Sequence, residues 1–194
     1  MTSFALAVFL LVATPGPGNL SLAGAGAAFG FRPGIRYALG LGFGANLVAL
    51  AVATGLAATV FAIPYVRPVL LAASVAYLIF LAARIAFTGT GVAFIAAERD
   101  LGVVDGIILM AINPKAYAIA TTLFTGFAFL PADVAMEVAI KFALFNIIWI
   151  PVHLAWLAAG AGLHRLDLPA RTQRRINIAM AASMLAVVGL ALLR

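Results

Sequence analysis

Residues 103–130 read VVDGIILMAINPKAYAIATTLFTGFAFL, an apolar run of 28 residues with only two charges, Asp105 near its start and Lys115 near its middle. At about 1.5 Å per residue a helix of this length rises about 42 Å, more than the roughly 30 Å of hydrocarbon in a bilayer. Helices of soluble domains seldom run so long without a cap, so the stretch reads as a membrane crossing. Outward from it the pattern recurs, from Phe4 to Phe29, Tyr37 to Ile63, Val69 to Phe87, Val138 to Ala161 and Ile176 to Leu193. These runs are continuously apolar and rich in Ala and Leu, which predicts helices and not the short alternating strands of a barrel. The 194 residues are 65% hydrophobic and carry 18 charged side chains, where a soluble domain of that length carries about 48. A cytosolic monomer is excluded, because so few charges cannot cover a solvated surface. No gap is long enough for a soluble domain, so residues 1–194 form a single transmembrane domain. The predicted fold class is an all-α polytopic membrane protein with six transmembrane helices.

The charges between the runs set an orientation. Arg32 and Arg36 follow the first run, Arg84 and Arg99 end or follow the third, and Arg165, Arg171, Arg174 and Arg175 follow the fifth; the other side holds Arg67, Lys141 and Arg194. The positive-inside rule then places connections one, three and five in the cytoplasm and both termini outside it. The net charge of +6 is spread over these short gaps, so it reads as orientation and not as a nucleic-acid surface. The first run has no Lys or Arg before it and continues to spanning length, so it is expected to be retained and not cleaved as a signal peptide. With no Cys in the chain, disulfides, thiol redox chemistry and Cys-ligated metals are excluded.

The 103–130 run also has a counterpart. Asn113-Pro114-Lys115-Ala116 faces Thr14-Pro15-Gly16-Pro17 at an offset of 99, Phe129-Leu130-Pro131 resembles Phe31-Arg32-Pro33 at 98, and Asn146 faces Asn46 at 100. Three crossings per half is an odd number, so the repeat, about 1–98 and 99–194, would be inverted in the membrane. Pro15 and Pro114 both lie about 16 Å into their runs. Proline removes a backbone donor and clashes with the preceding turn, so helices 1 and 4 are predicted to be broken there. Backbone groups freed at that depth are tolerated inside protein or along a water-filled cavity. Matching breaks in inverted halves point to a transport site; the alternative is that they are kinks serving packing.

Lys115 is the charge this pattern leaves over. A cation at mid-membrane costs about 2.5–3.5 kcal/mol and faces a cavity or a partner. It would meet a substrate carboxylate, or couple transport to protons, or bond a carbonyl freed by a proline; Asp105, nearly three turns away, is too far to pair within the helix. Asn19, Asn46, Asn113 and Asn146 either line the same cavity or hydrogen-bond between helices. His153 is either a proton relay or a structural group. Gly40, Gly42 and Gly44 read as a face for close helix packing. Gly16 and Gly18 have no preceding strand and no following Gly-Lys-Ser/Thr, so no nucleotide loop is present, and the acidic residues sit at segment ends without metal-ligand spacing.

Thr14-Pro15-Gly16-Pro17, Gly30-Phe31-Arg32-Pro33-Gly34, Tyr77-Leu78, and Gly106 followed by Asn113-Pro114-Lys115-Ala116 together resemble the LysE/RhtB family of amino-acid exporters over nearly the whole length. The resemblance implies a protein of the bacterial inner membrane, often a homodimer, that exports amino acids or close derivatives on the proton gradient. Two departures stand out: Ala45 and Val48 occupy positions where family members carry an acid and a His, and Ser74 and Ala82 replace glycines near the Tyr-Leu pair. The first shifts attention to Lys115 and His153 as proton-coupling candidates.

The sequence thus predicts a secondary transporter, with no enzymatic activity, no cofactor and no metal, working by alternating access on a small zwitterionic amino acid. The expected substrate pathway comprises Pro15, Gly16, Pro17, Asn19, Asn46, Asn113, Pro114, Lys115 and Asn146. Membrane lipid and a second copy of the chain are its expected partners. The rival reading is a non-transporting scaffold or accessory subunit.

Overall fold

The computed structural model describes residues 1–86, 101–164, 166 and 168–192. Among them the chain forms α1 (Thr2–Ala13), α2 (Pro17–Phe29), α3 (Phe31–Ala53), α4 (Leu56–Phe61), α5 (Val66–Ala86), α6 (Val103–Ile112), α7 (Pro114–Thr125), α8 (Val134–His164) and α9 (Ala170–Leu192), with no strand. The 98/99 boundary between the expected repeats and the charges Arg99, Arg165 and Arg194 lie outside the described residues.

Both expected breaks are present, and the same local rule makes them. A residue before proline is pushed out of the helical region. Thr14, before Pro15, has ψ 127° and ends α1, and Asn113, before Pro114, has ψ 109° and ends α6. Each following helix then starts with proline at its first turn, Pro17 in α2 and Pro114 in α7, where the missing N–H has no intrahelical partner to lose. The axes bend by 54° between α1 and α2 and by 70° between α6 and α7.

Helices α3, α5 and α8 are each long and apolar enough to cross a membrane, and each bent pair qualifies as one further span, five in all among the residues searched. The sixth expected run falls in α9, whose 23 residues rise about 34 Å. The protein is therefore an all-α polytopic membrane protein. Two boundaries differ from expectation. The run from Tyr37 to Ile63 is split, because Gly55 adopts φ 78°, a left-handed conformation open to glycine that ends α3 and starts α4. Arg32 and Arg36 lie in the first turns of α3, which begins directly after Gly30, and not in a loop.

Each broken pair packs on a different long helix. The first broken pair, α1 and α2, packs chiefly on α8; the second, α6 and α7, packs chiefly on α3; and α5 meets α9. Each crossing depends on a glycine: a Cβ on Gly40 would run into the Val103 carbonyl of α6, and one on Gly160 into the Ala23 carbonyl of α2. Gly44 shares the face of Gly40, four residues on, and also abuts α6. Gly42 does not, since residues two apart on a helix point apart; its Cβ would meet the Trp149 ring at 3.1 Å.

Candidate functional site

The two breaks face each other across one cavity. It is lined on the α1/α2 side by Gly16, Gly18 and Asn19, on the α6/α7 side by Met110, Asn113 and Lys115, and on the α8 side by Phe145, Trp149 and His153. Each break is tied by a side chain that reaches back to the preceding helix. Asn19 Nδ2 donates to the Val12 carbonyl at 2.8 Å and to Thr14 O at 3.2 Å. Tyr117 donates its hydroxyl to the Ala111 carbonyl at 2.7 Å. These are the carbonyls that a helix end leaves without an N–H partner. Asn113 caps α7 by accepting from the Lys115 N–H at 3.1 Å.

Lys115 crosses from one break to the other. Its Nζ donates to Thr14 O at 2.6 Å and to Pro15 O at 3.2 Å, about 100 residues earlier in the chain. A Cβ on Gly16 would stand 2.7 Å from Lys115 Cδ and 2.8 Å from Nζ, so the lysine lies against bare backbone that another residue would block. The partner of the mid-helix cation is thus a proline-freed carbonyl pair, on the other broken helix and not on its own. Asp105 is engaged elsewhere, with Arg84 at 3.3 Å. His153 lies flat on Trp149, ring centroids 3.6 Å apart, with Nδ1 2.9 Å from the Trp149 carbonyl. A carbonyl only accepts, so Nδ1 carries a proton and, in the neutral ring, Nε2 is the acceptor. The remaining space is about 50 Å³, enough for a few waters at about 10–15 Å³ each.

A model of the LysE type translocator family matches residues 9–194, nearly the whole chain. The chain belongs to the LysE type translocator family. It is therefore a multi-pass membrane protein of a transporter family. No curated protein and no solved structure matches it.

Within this LysE type translocator the expected pathway residues divide. Gly16, Asn19, Asn113, Lys115 and His153 line the cavity, and Pro15 adds a carbonyl beside it. Pro17 is buried at the start of α2, while Pro114 borders a separate apolar groove with Phe61, Leu71 and Tyr117. Asn46 and Asn146 do not line the cavity: they bond each other reciprocally at 2.9 and 2.8 Å and so clamp α3 to α8. Among the described residues, no three of His, Asp and Glu stand close enough to hold a metal.

Sequence reading missed the aromatic wall. Trp149 stands four residues before His153, the spacing that puts two side chains on one helix face, and Phe145 is four before that. It also took Lys141 as an orientation charge. Lys141 is buried, bonded to Glu137 at 2.8 Å and donating to the Phe124 and Phe127 carbonyls, while Glu137 accepts from the Phe129 and Leu130 N–H groups. The Glu-to-Lys spacing of four was the readable clue. Phe4 packs edge-on against Phe127 and Phe129, which sets the N-terminal end of α1 at the same end of the bundle as this connection. At the other end Arg84 and Tyr77 of α5 hold Asp105 at the start of α6, Tyr77 through its hydroxyl to the Asp105 carbonyl at 3.0 Å.

Proposed function

We propose that this translocator exports a small neutral amino acid, or a close derivative, across the bacterial inner membrane, driven by the proton gradient. The observation that carries this reading is the Lys115 bridge: the second broken helix supplies a cation, the first supplies bare carbonyls, and both open on one cavity. A zwitterion needs a donor for its carboxylate and acceptors for its ammonium, and those are the two kinds of group gathered there. No Asp or Glu is among the lining residues, which disfavours a second positive charge on the substrate. Lys115 meets the carboxylate, and the rocking of one half against the other about the broken helices gives alternating access. His153, on the same wall, is the candidate for proton coupling because imidazole changes charge near neutral pH. Both termini lie outside the cytoplasm in this reading, with connections one, three and five inside.

The test is counterflow in proteoliposomes with labelled amino acids, with and without a pH gradient. A neutral amino acid should accumulate, faster when the gradient is imposed. If none exchanges under either condition, the exporter reading fails.

A further inference from the structure

We infer that the carbonyl oxygens of Thr14 and Pro15 form a binding site for a primary ammonium group, and that Lys115 is its built-in occupant. Nζ of Lys115 reaches both oxygens at once, at 2.6 and 3.2 Å. Two carbonyls converging on one nitrogen is the geometry an ammonium needs, since it offers three N–H donors and no acceptor. The oxygens are available because Thr14 and Pro15 lie in the break, after α1 ends at Ala13 and before α2 begins at Pro17, where no backbone N–H bonds them. Gly16, the residue between the prolines, leaves the gap through which the lysine stem lies.

For its ligand, a substrate ammonium, this inference rests on the exporter reading. With Lys115 in place both carbonyl oxygens already hold an ammonium group. An incoming ammonium therefore takes the carbonyl pair by displacing Lys115, and the displaced lysine becomes the partner of the same molecule's carboxylate. Each half of the zwitterion creates the condition for the other. An amine without a carboxylate leaves Lys115 unpaired inside the protein, which is costly. A carboxylate without an ammonium has nothing with which to dislodge the lysine. A quaternary ammonium has no N–H to give the carbonyls. The site thus selects zwitterions bearing a primary ammonium.

The experiment uses the full chain in nanodiscs, carrying Trp156→Phe so that Trp149 alone reports by fluorescence, with propylammonium and tetramethylammonium as probes. In Lys115→Ala, which removes the stem as well as the charge, propylammonium should bind at least about tenfold tighter than in the parent, as expected for charge-assisted hydrogen bonds. Tetramethylammonium should show no such gain. Gly16→Ala keeps the lysine but drives it from the carbonyls, and should give a smaller gain for propylammonium alone; it carries the test if Lys115→Ala does not fold. Equal propylammonium affinity in parent and variants, or an equal gain for tetramethylammonium, overturns the inference. Propylammonium gain with no amino-acid counterflow would leave the carbonyl site standing and sink the exporter reading. Counterflow with no gain would do the reverse.

Discussion

The break between α1 and α2 and the break between α6 and α7 are each made by a residue before proline, yet they differ in what they expose. The first spans Thr14, Pro15 and Gly16 and bends by 54°; it offers the carbonyls of Thr14 and Pro15 to side-chain donors and is poor in side chains. The second is a single residue, Asn113, and bends by 70°. It is closed by its own side chains, Asn113 on the Lys115 N–H and Tyr117 on the Ala111 carbonyl, and it projects a cation, Lys115, into the cavity. Duplicated geometry thus carries complementary chemistry: acceptors from one half, a donor from the other. Under the proposed function, that division is what lets the paired breaks bind a molecule with two unlike ends.

The largest expected effect comes from removing the donor half. Lys115→Met should cut counterflow by about 10–150-fold, the worth of one charge-assisted hydrogen bond at about 1.5–3 kcal/mol, with a normal elution profile. Unchanged efflux would show that the two breaks do not act together.

The crossings that hold each broken pair should be next. Gly40→Ala and Gly160→Ala place a methyl against a facing carbonyl, and overpacking of that kind costs about 1–3 kcal/mol. Both should lower the midpoint of unfolding in detergent by similar amounts. A loss at only one crossing would mean that the halves are not held in equivalent ways.

A smaller pair of effects sharpens the contrast between the breaks themselves. Asn19→Ala and Tyr117→Phe each remove a reach-back hydrogen bond, worth about 0.5–1.5 kcal/mol in stability. Asn19 also positions the Thr14 carbonyl that Lys115 uses, so its variant should lose transport rate as well, whereas Tyr117→Phe should lose stability alone. Equal transport losses would contradict the acceptor-and-donor division.

The smallest effect is expected where Asn46 of α3 meets Asn146 of α8. A double-mutant cycle over Asn46→Ala and Asn146→Ala should give a coupling of about 0.6 kcal/mol, typical of side-chain hydrogen bonds in membrane bundles, with counterflow nearly unchanged. A large transport defect would return these residues to the pathway.

Much of this was legible in the sequence. The Asn46 and Asn146 correspondence was visible as an offset of 100, but register alone assigns two residues to equivalent places and does not say whether their side chains face a cavity or each other. Lys141 shows the opposite failure. Counting it by its position near the start of the fifth run made it an orientation charge, while its partners, Glu137 and the carbonyls of Phe124 and Phe127, draw it inside. The division of α3 from α4 was hidden because an apolar window does not register a left-handed glycine at Gly55.

By itself the sequence determined that the chain is a membrane protein, that its helices are continuous apolar runs, and that two of them break at Pro15 and Pro114. These follow from local causes: the transfer of apolar side chains out of water, and the missing N–H and steric demand of proline. Only the tertiary structure decided what those breaks meet. Lys115 could have bonded a carbonyl of its own helix or faced open water. It meets Thr14 and Pro15 because α6 and α7 pack on α3 while α1 and α2 pack on α8, and a contact between residues about 100 apart exists only once both crossings have formed.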